Sequence, residues 1–312
     1  MTSFAFIFPG QGSQAVGMLD AWGDHPSVRE TLDEASAALG ENVASLIHGG
    51  PKEALDLTTN TQPVMLVAGI ACYRAWRHAG GAEPAAVAGH SLGEYTALVA
   101  SGALTLAEAL PLVRFRAQAM QEAVPVGVGA MAAILGLDAR AVVDGCAEAA
   151  KASGEVVEAV NFNDPKQTVI AGSKAGVDKG CEVLKASGAK RALLLSVSAP
   201  FHSSLMKPAA DRLRDRLARA AIAVPRLPLV NNIDAAVASD AASIRDALYR
   251  QAFGAVRWVD VVQALRRRGV SHIIECGPGK VLTGMVKRID SEAVTASLFD
   301  PASLAEVRGM LA

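Results

Sequence analysis

Clustered cysteines, long hydrophobic runs and an excess of either charge are what this 312-residue sequence lacks, and each absence closes a class of function. Its four cysteines, Cys72, Cys146, Cys181 and Cys276, are scattered and form no C-x-x-C. They read as small buried hydrophobes in a reducing compartment, not as disulfides or zinc ligands. A membrane-spanning helix needs ~20 mostly apolar residues, and the longest apolar stretch, around Pro63 to Cys72, falls short of that. Phe4-Ala5-Phe6-Ile7-Phe8 follows the start without a basic segment or a small-residue cleavage site, so no secretory leader is expected. Thirty Lys plus Arg stand against 31 Asp plus Glu, a formal net charge of −1. A near-neutral chain is poorly suited to binding nucleic acid, which needs clustered Lys and Arg against phosphates. No His/Cys/Asp cluster has metal-ligand spacing, and there is no low-complexity tract or solenoid-period repeat.

What is present is a hydrophobic chain, 51% apolar and 20% charged, which excludes disorder. Short apolar runs alternate with helical patterns, which favours an α/β fold. Strands are expected at Phe4–Phe8, Ala85–Ala88, Leu227–Asn231 and His272–Cys276. Helices are expected at Ser27–Leu39, Gln62–Ala79, Leu92–Ser101, Leu106–Glu122, Leu205–Ala221, Ala241–Gln251 and Val259–Arg268. Between Gly129 and Ser196 the order becomes β-α-β-β-α-β, the split βαβ or ferredoxin-like pattern. The expectation is a small ferredoxin-like domain, residues 126–197, inserted in a larger α/β domain made of residues 1–125 and 198–312.

The strongest chemical signal is Gly89-His90-Ser91-Leu92-Gly93, a G-x-S-x-G nucleophile elbow between an apolar strand and a helix. Such a turn pushes the serine hydroxyl outward, and the helix start aims unpaired N–H groups at the same spot. Ser91 needs a base to act as a nucleophile near pH 7. His202, after Ala199-Pro200-Phe201 and ahead of a helical pattern, is the leading candidate, with loop closure as its structural alternative. A helix N-terminus would keep it neutral. His272, in a strand, is the second candidate; His90 reads as a packing residue. Arg116 shares a helix face with Ala109, Leu112, Val113 and Met120, all within about 60° of it on a helical wheel, whereas Arg114 points away. A buried guanidinium needs an anion, either a structural acid or a substrate carboxylate. Gly10-Gln11-Gly12 with Ala15 formally fits a dinucleotide fingerprint, but no second strand bears the ribose-binding acid. Gly277-Pro278-Gly279-Lys280 lacks the remainder of a phosphate loop and reads as a strand-to-helix turn.

Taken together, Phe8-Pro9-Gly10-Gln11-Gly12-Ser13-Gln14, Gly89-His90-Ser91-Leu92-Gly93-Glu94, Arg114-Phe115-Arg116 with Met120-Gln121, and Pro200-Phe201-His202 resemble malonyl-CoA:acyl carrier protein transacylases of bacterial fatty-acid synthesis. Asn60-Thr61-Gln62-Pro63, Asn161-Phe162-Asn163 and Glu275-Cys276-Gly277-Pro278-Gly279-Lys280 extend the resemblance along essentially the whole chain. It implies a hydrolase-like α/β domain carrying the ferredoxin-like insert. It makes Ser91 the nucleophile, His202 its base, and the N–H groups of Gln11 and Leu92 the oxyanion hole. Arg116 receives the malonyl carboxylate, Gln62 and Met120 line the acyl pocket, and Phe201 resembles the malonyl-selective members. The main-chain carbonyl of Gln251 orients the histidine. Malonyl-CoA and coenzyme A are then substrate and product, holo acyl carrier protein the partner, and no cofactor or metal is permanently bound. A cytoplasmic monomer is expected. Two other readings differ at nameable residues: an esterase or thioesterase using His272 with Asp234, Asp240 or Asp260, and a non-catalytic carrier-binding scaffold.

Overall fold

A computed structural model describes residues 2–125, 127–197 and 199–312. Its frame is a five-stranded sheet built from β1 (Phe4–Phe8), β2 (Ala86–Gly89), β7 (Leu229–Val230), β8 (His272–Cys276) and β9 (Val294–Leu298). The order is β7-β2-β1-β8-β9, and every pairing is parallel. Alternation along β1 shows why it lies at the centre. Phe4, Phe6 and Phe8 enter one core and Ala5 and Ile7 another, so both faces are covered. On the phenylalanine side lies the helix Thr58–His78, whose Trp76 ring stands edge-on to Phe6 at 5.6 Å. On the other side, Trp258, Val261, Val262 and Leu265 of the helix Trp258–Arg267 join Leu282 and Val286 of Val281–Ile289.

The second sheet is antiparallel, with β3 (Gly129–Leu135), β4 (Val157–Asp164), β5 (Gln167–Ser173) and β6 (Arg191–Leu194) in the order β4-β5-β3-β6. Ala132 and Ile134 face the helices Ala139–Ser153 and Lys174–Ala186, while Met131 and Ala133 face the main core. The period-2 pattern of β3 thus ties the two sheets together. The expected boundary positions 126 and 198 lie outside the described residues.

The structure departs from the expected elements where local signals compete. The Thr58–His78 helix begins before Gln62, because Pro63 sits inside it and not in its opening turn. The strand expected over Leu227–Asn231 shortens to Leu229–Val230, which pairs with β2 and bridges Val237 on its other side. The turn expected at Gly277-Pro278-Gly279-Lys280 leads into the helix Val281–Ile289, while helix Val43–Gly49, edge strand β9 and helix Pro301–Leu311 were not anticipated. The last of these carries a readable start: Asp300 caps it, with Pro301 at its first position and Ser303 completing a capping box.

Candidate active site

The parallel strands deliver their C-terminal ends to one place, which is where open α/β sheets build ligand sites. After β1 come Pro9-Gly10-Gln11, after β2 His90-Ser91-Leu92, and after β7 Asn231-Asn232. The elbow at Ser91 is sterically enforced. A Cβ on Gly89 would lie 1.9 Å from the Gly93 backbone, and one on Gly93 would lie 2.0 Å from Phe8 O. Strand, turn and following helix (Gly93–Ala100) therefore close to backbone contact. Ser91 itself sits at φ 52 and His202 at φ 66, left-handed conformations that non-glycine residues seldom adopt. Asn232 secures the turn by donating from Nδ2 to Gly89 O (2.6 Å) and accepting from Ser91 N–H at Oδ1 (2.7 Å).

Ser91 Oγ lies 2.7 Å from His202 Nε2, and His202 Nδ1 lies 2.8 Å from the main-chain oxygen of Gln251. That oxygen only accepts, so Nδ1 carries the hydrogen and Nε2 is left as the acceptor for the serine proton. His202 is buried; burial first, and then the Arg116 charge, hold its pKa down to about 3. The helix dipole expected to keep it neutral is not the cause. A 3₁₀ turn, Ser204–Met206, separates His202 from the α-helix Lys207–Arg219, too far for the first-turn dipole to govern it.

Arg116 is 2% exposed. Nη1 donates to Gln62 Oε1 (2.5 Å), and Nη2 donates to Gln251 Oε1 (3.1 Å) and Ser91 Oγ (3.3 Å). Its guanidinium also lies 5.5 Å from the centre of the Tyr95 ring. No carboxylate of the described residues forms an ion pair with it, and Nε–H has no acceptor there. The structural-acid alternative is therefore not what the fold supplies. The guanidinium is held by neutral acceptors beside the Tyr95 ring. Arg114, by contrast, points outward and pairs with Glu41.

Gln11, Gln62, Ser91, Leu92, Arg116, Met120, Phe201 and His202 line one small cleft of about 130 Å³. The N–H groups of Gln11 and Leu92 bond no acceptor among the described residues, and their loops abut: a Cβ on Gly10 would lie 2.7 Å from His90 O. Gln251 stands behind the cleft, touching base, nucleophile and guanidinium. His90 donates from Nε2 to Asn163 Oδ1 (2.8 Å) and packs against Trp258, the packing role expected of it.

His272 lies at the start of β8, at the opposite end of the parallel sheet from Ser91, and its Nδ1 faces Ser271 Oγ. The acids considered with it are occupied elsewhere: Asp234 pairs with Arg250, Asp260 with Arg257, and Asp240 caps the helix Ala241–Phe253. A hydrolase triad through His272 is excluded by this placement. Sequence reading missed Asn232 and assigned no role to Glu94. The Asn231-Asn232 pair, ending a parallel strand, was the available signal. The described residues contain no metal-binding cluster of His, Cys, Asp or Glu, and no helix long and apolar enough to cross a membrane.

Residues 5–303 match the family model of the acyl transferase domain. The chain is 51% identical over 306 residues to the malonyl CoA-acyl carrier protein transacylase of Escherichia coli K12, covering 98% of each. It is 43% identical over 308 residues to the enzyme of that name from Bacillus subtilis, covering 97% of this chain and 96% of the relative. Among solved structures, an acyl-carrier-protein S-malonyltransferase from Burkholderia pseudomallei superposes with a TM-score of 0.97 at 66% identity, covering 99% of this chain and 100% of the other. A malonyl-transacylase solved with its type II polyketide synthase acyl-carrier protein gives 0.97 at 45%, covering 99% and 100%.

Proposed function

The chain belongs to the acyl transferase family, and from that premise we propose that it moves a malonyl group from malonyl-CoA to the phosphopantetheine thiol of an acyl carrier protein through a malonyl-Ser91 ester. The observation that carries this reading is the contact array Ser91 Oγ–His202 Nε2 and His202 Nδ1–Gln251 O beside a buried Arg116 that has no carboxylate partner among the described residues. Neutral His202 removes the Ser91 proton as Oγ bonds to the thioester carbonyl carbon. Electrons shift onto the carbonyl oxygen, which the N–H groups of Gln11 and Leu92 receive; losing one such donor typically costs ~2.7–4 kcal/mol. Collapse breaks the carbon–sulfur bond, and His202 returns the proton to the departing coenzyme A thiolate. The carrier thiol then reverses these steps, giving ping-pong transfer.

Arg116 supplies selectivity. A malonyl carboxylate pairs with the guanidinium, whereas an acetyl group leaves a buried cation facing a methyl. Gln62, Met120 and Phe201 bound the acyl pocket. The hydrolase-like α/β body, residues 1–125 and 198–312, carries the elbow, and the ferredoxin-like insert, residues 126–197, faces Met131 and Leu195 toward the same cleft. The enzyme works as a cytoplasmic monomer without a resident cofactor, supplying fatty-acid or polyketide synthesis. The test is release of coenzyme A and labelling of a holo carrier protein with malonyl-CoA and acetyl-CoA in parallel. Malonyl transfer well above both acetyl transfer and hydrolysis supports the reading; hydrolysis without transfer overturns it.

A further inference from the structure

Behind the nucleophile lies a buried carboxylate that the reaction itself does not use. Glu94, 1% exposed, accepts Asn232 N–H (2.9 Å) and Gln251 Nε2 (3.0 Å) on the same oxygen, Oε2. Gln251 Nε2 also donates to Ser91 O (3.0 Å), while its Oε1 accepts from Arg116 Nη2 (3.1 Å). Only one orientation of this carboxamide is possible. Carboxylate and carbonyl oxygens only accept and a guanidinium only donates, so a flipped amide would set NH₂ against Arg116 and oxygen against Glu94. Arg116 itself forms no ion pair with Glu94; the connection runs through one side-chain amide.

We propose that Glu94 is a positioning residue for acyl selectivity: by fixing the Gln251 carboxamide it holds the Arg116 guanidinium where it receives the free carboxylate of a diacyl thioester. This rests on the assignment of Arg116 as the carboxylate receptor. It differs from a general role in stabilising the elbow, which Asn232 performs through its own bonds to Gly89 and Ser91. A group that merely supports the fold would slow every acyl substrate alike, whereas one acting through Arg116 weakens only those bearing the second carboxylate.

Glu94→Ala and Glu94→Gln are compared with the wild type by kcat/KM for malonyl-CoA and acetyl-CoA, with holo carrier protein as acceptor. In Glu94→Ala the malonyl-to-acetyl ratio should fall about ten-fold, through a higher KM for malonyl-CoA, as expected for losing one charge-assisted hydrogen bond. Glu94→Gln keeps an oxygen for both donors and should restore the ratio to within about three-fold. Should Glu94→Ala fail to fold, Gln251→Leu serves instead; it keeps the main-chain carbonyl for His202, removes the carboxamide, and should show the same loss. An unchanged ratio, an equal slowing of both substrates, or a Gln variant as poor as Ala overturns the proposal. A wild-type enzyme that does not favour malonyl-CoA would overturn the Arg116 assignment first, and this inference with it.

Discussion

Replacing Arg116 by alanine should separate the two substrates more sharply than any other single change. The guanidinium is almost fully enclosed, bonded to Gln62, Gln251 and Ser91, with Nε–H unused. A malonyl carboxylate entering beside it forms a desolvated, hydrogen-bonded charge pair. Truncating one partner of such a pair costs about 2–5 kcal/mol. At ~1.36 kcal/mol per decade this predicts a malonyl-CoA kcat/KM lower by about 30- to 5,000-fold. Acetyl-CoA has no carboxylate to lose and should stay within a few-fold of the wild type or rise. Two side effects follow from the same contacts. Gln62 Oε1 and Gln251 Oε1 lose their donor, and an orphaned buried acceptor costs about 1–3 kcal/mol, offset where water enters the vacated volume. Arg116 is also the second cause of the low His202 pKa, so its removal lets that pKa climb and moves the acid limb of the acetyl-CoA rate to higher pH. Stopped-flow acylation with both thioesters, each across a pH series, measures all of this. Equal losses for malonyl-CoA and acetyl-CoA would refute the carboxylate role and leave Arg116 as a structural residue.

The remaining predictions concern the elbow and its buried charges. Gly93→Ala should prevent native folding or abolish acylation, because its Cβ would fall 2.0 Å from Phe8 O, where rigid backbone cannot move aside; circular dichroism and coenzyme A release check this. Acylation of the wild type should persist well below pH 6.5, since His202 stays neutral down to about 3; an acid limb at 6.5 in kcat/KM for acylation would contradict the geometry. Stability should respond to pH through two opposed groups. His202, lowered from 6.5, contributes stability present above pH 6.5 and lost toward pH 3. Glu94, raised by burial from 4.5 to about 7, contributes stability present below pH 4.5 and lost as pH rises through 7. Glu94→Gln removes the second, so urea unfolding should show a steeper loss of stability on acidification between pH 6.5 and 4.5 than in the wild type.

Much of the molecule was legible from local pattern. The alternating Phe4–Phe8 segment is a central strand, and the glycines at 89 and 93 announced a turn whose crowding the structure measures. The helical wheel put Arg116 on a buried face, where it lies. What resisted reading was mostly long-range. That Asn232 would grip the Ser91 turn, or that Glu94 would reach Arg116 through Gln251, depends on segments about 140–160 positions apart meeting at the strand ends. The low pKa of His202 arises from enclosure and from Arg116, neither visible in the residues flanking it. Edge strand β9 escaped because it pairs on one side only and its exposure pattern is mixed. The contacts between the second sheet and the main core through Met131 and Ala133 had a clear alternation, but no pattern named the surface they would meet.

The central claim is that Ser91 carries the acyl group between two thiols. Mixing the protein with malonyl-CoA in the absence of an acceptor, quenching in acid and mapping peptides by mass spectrometry tests it directly. One malonyl ester on the peptide containing Ser91 is expected, discharged on adding holo carrier protein and absent from Ser91→Ala. A malonyl adduct that persists in Ser91→Ala, or transfer to carrier protein with no adduct on Ser91 at any time, would contradict it.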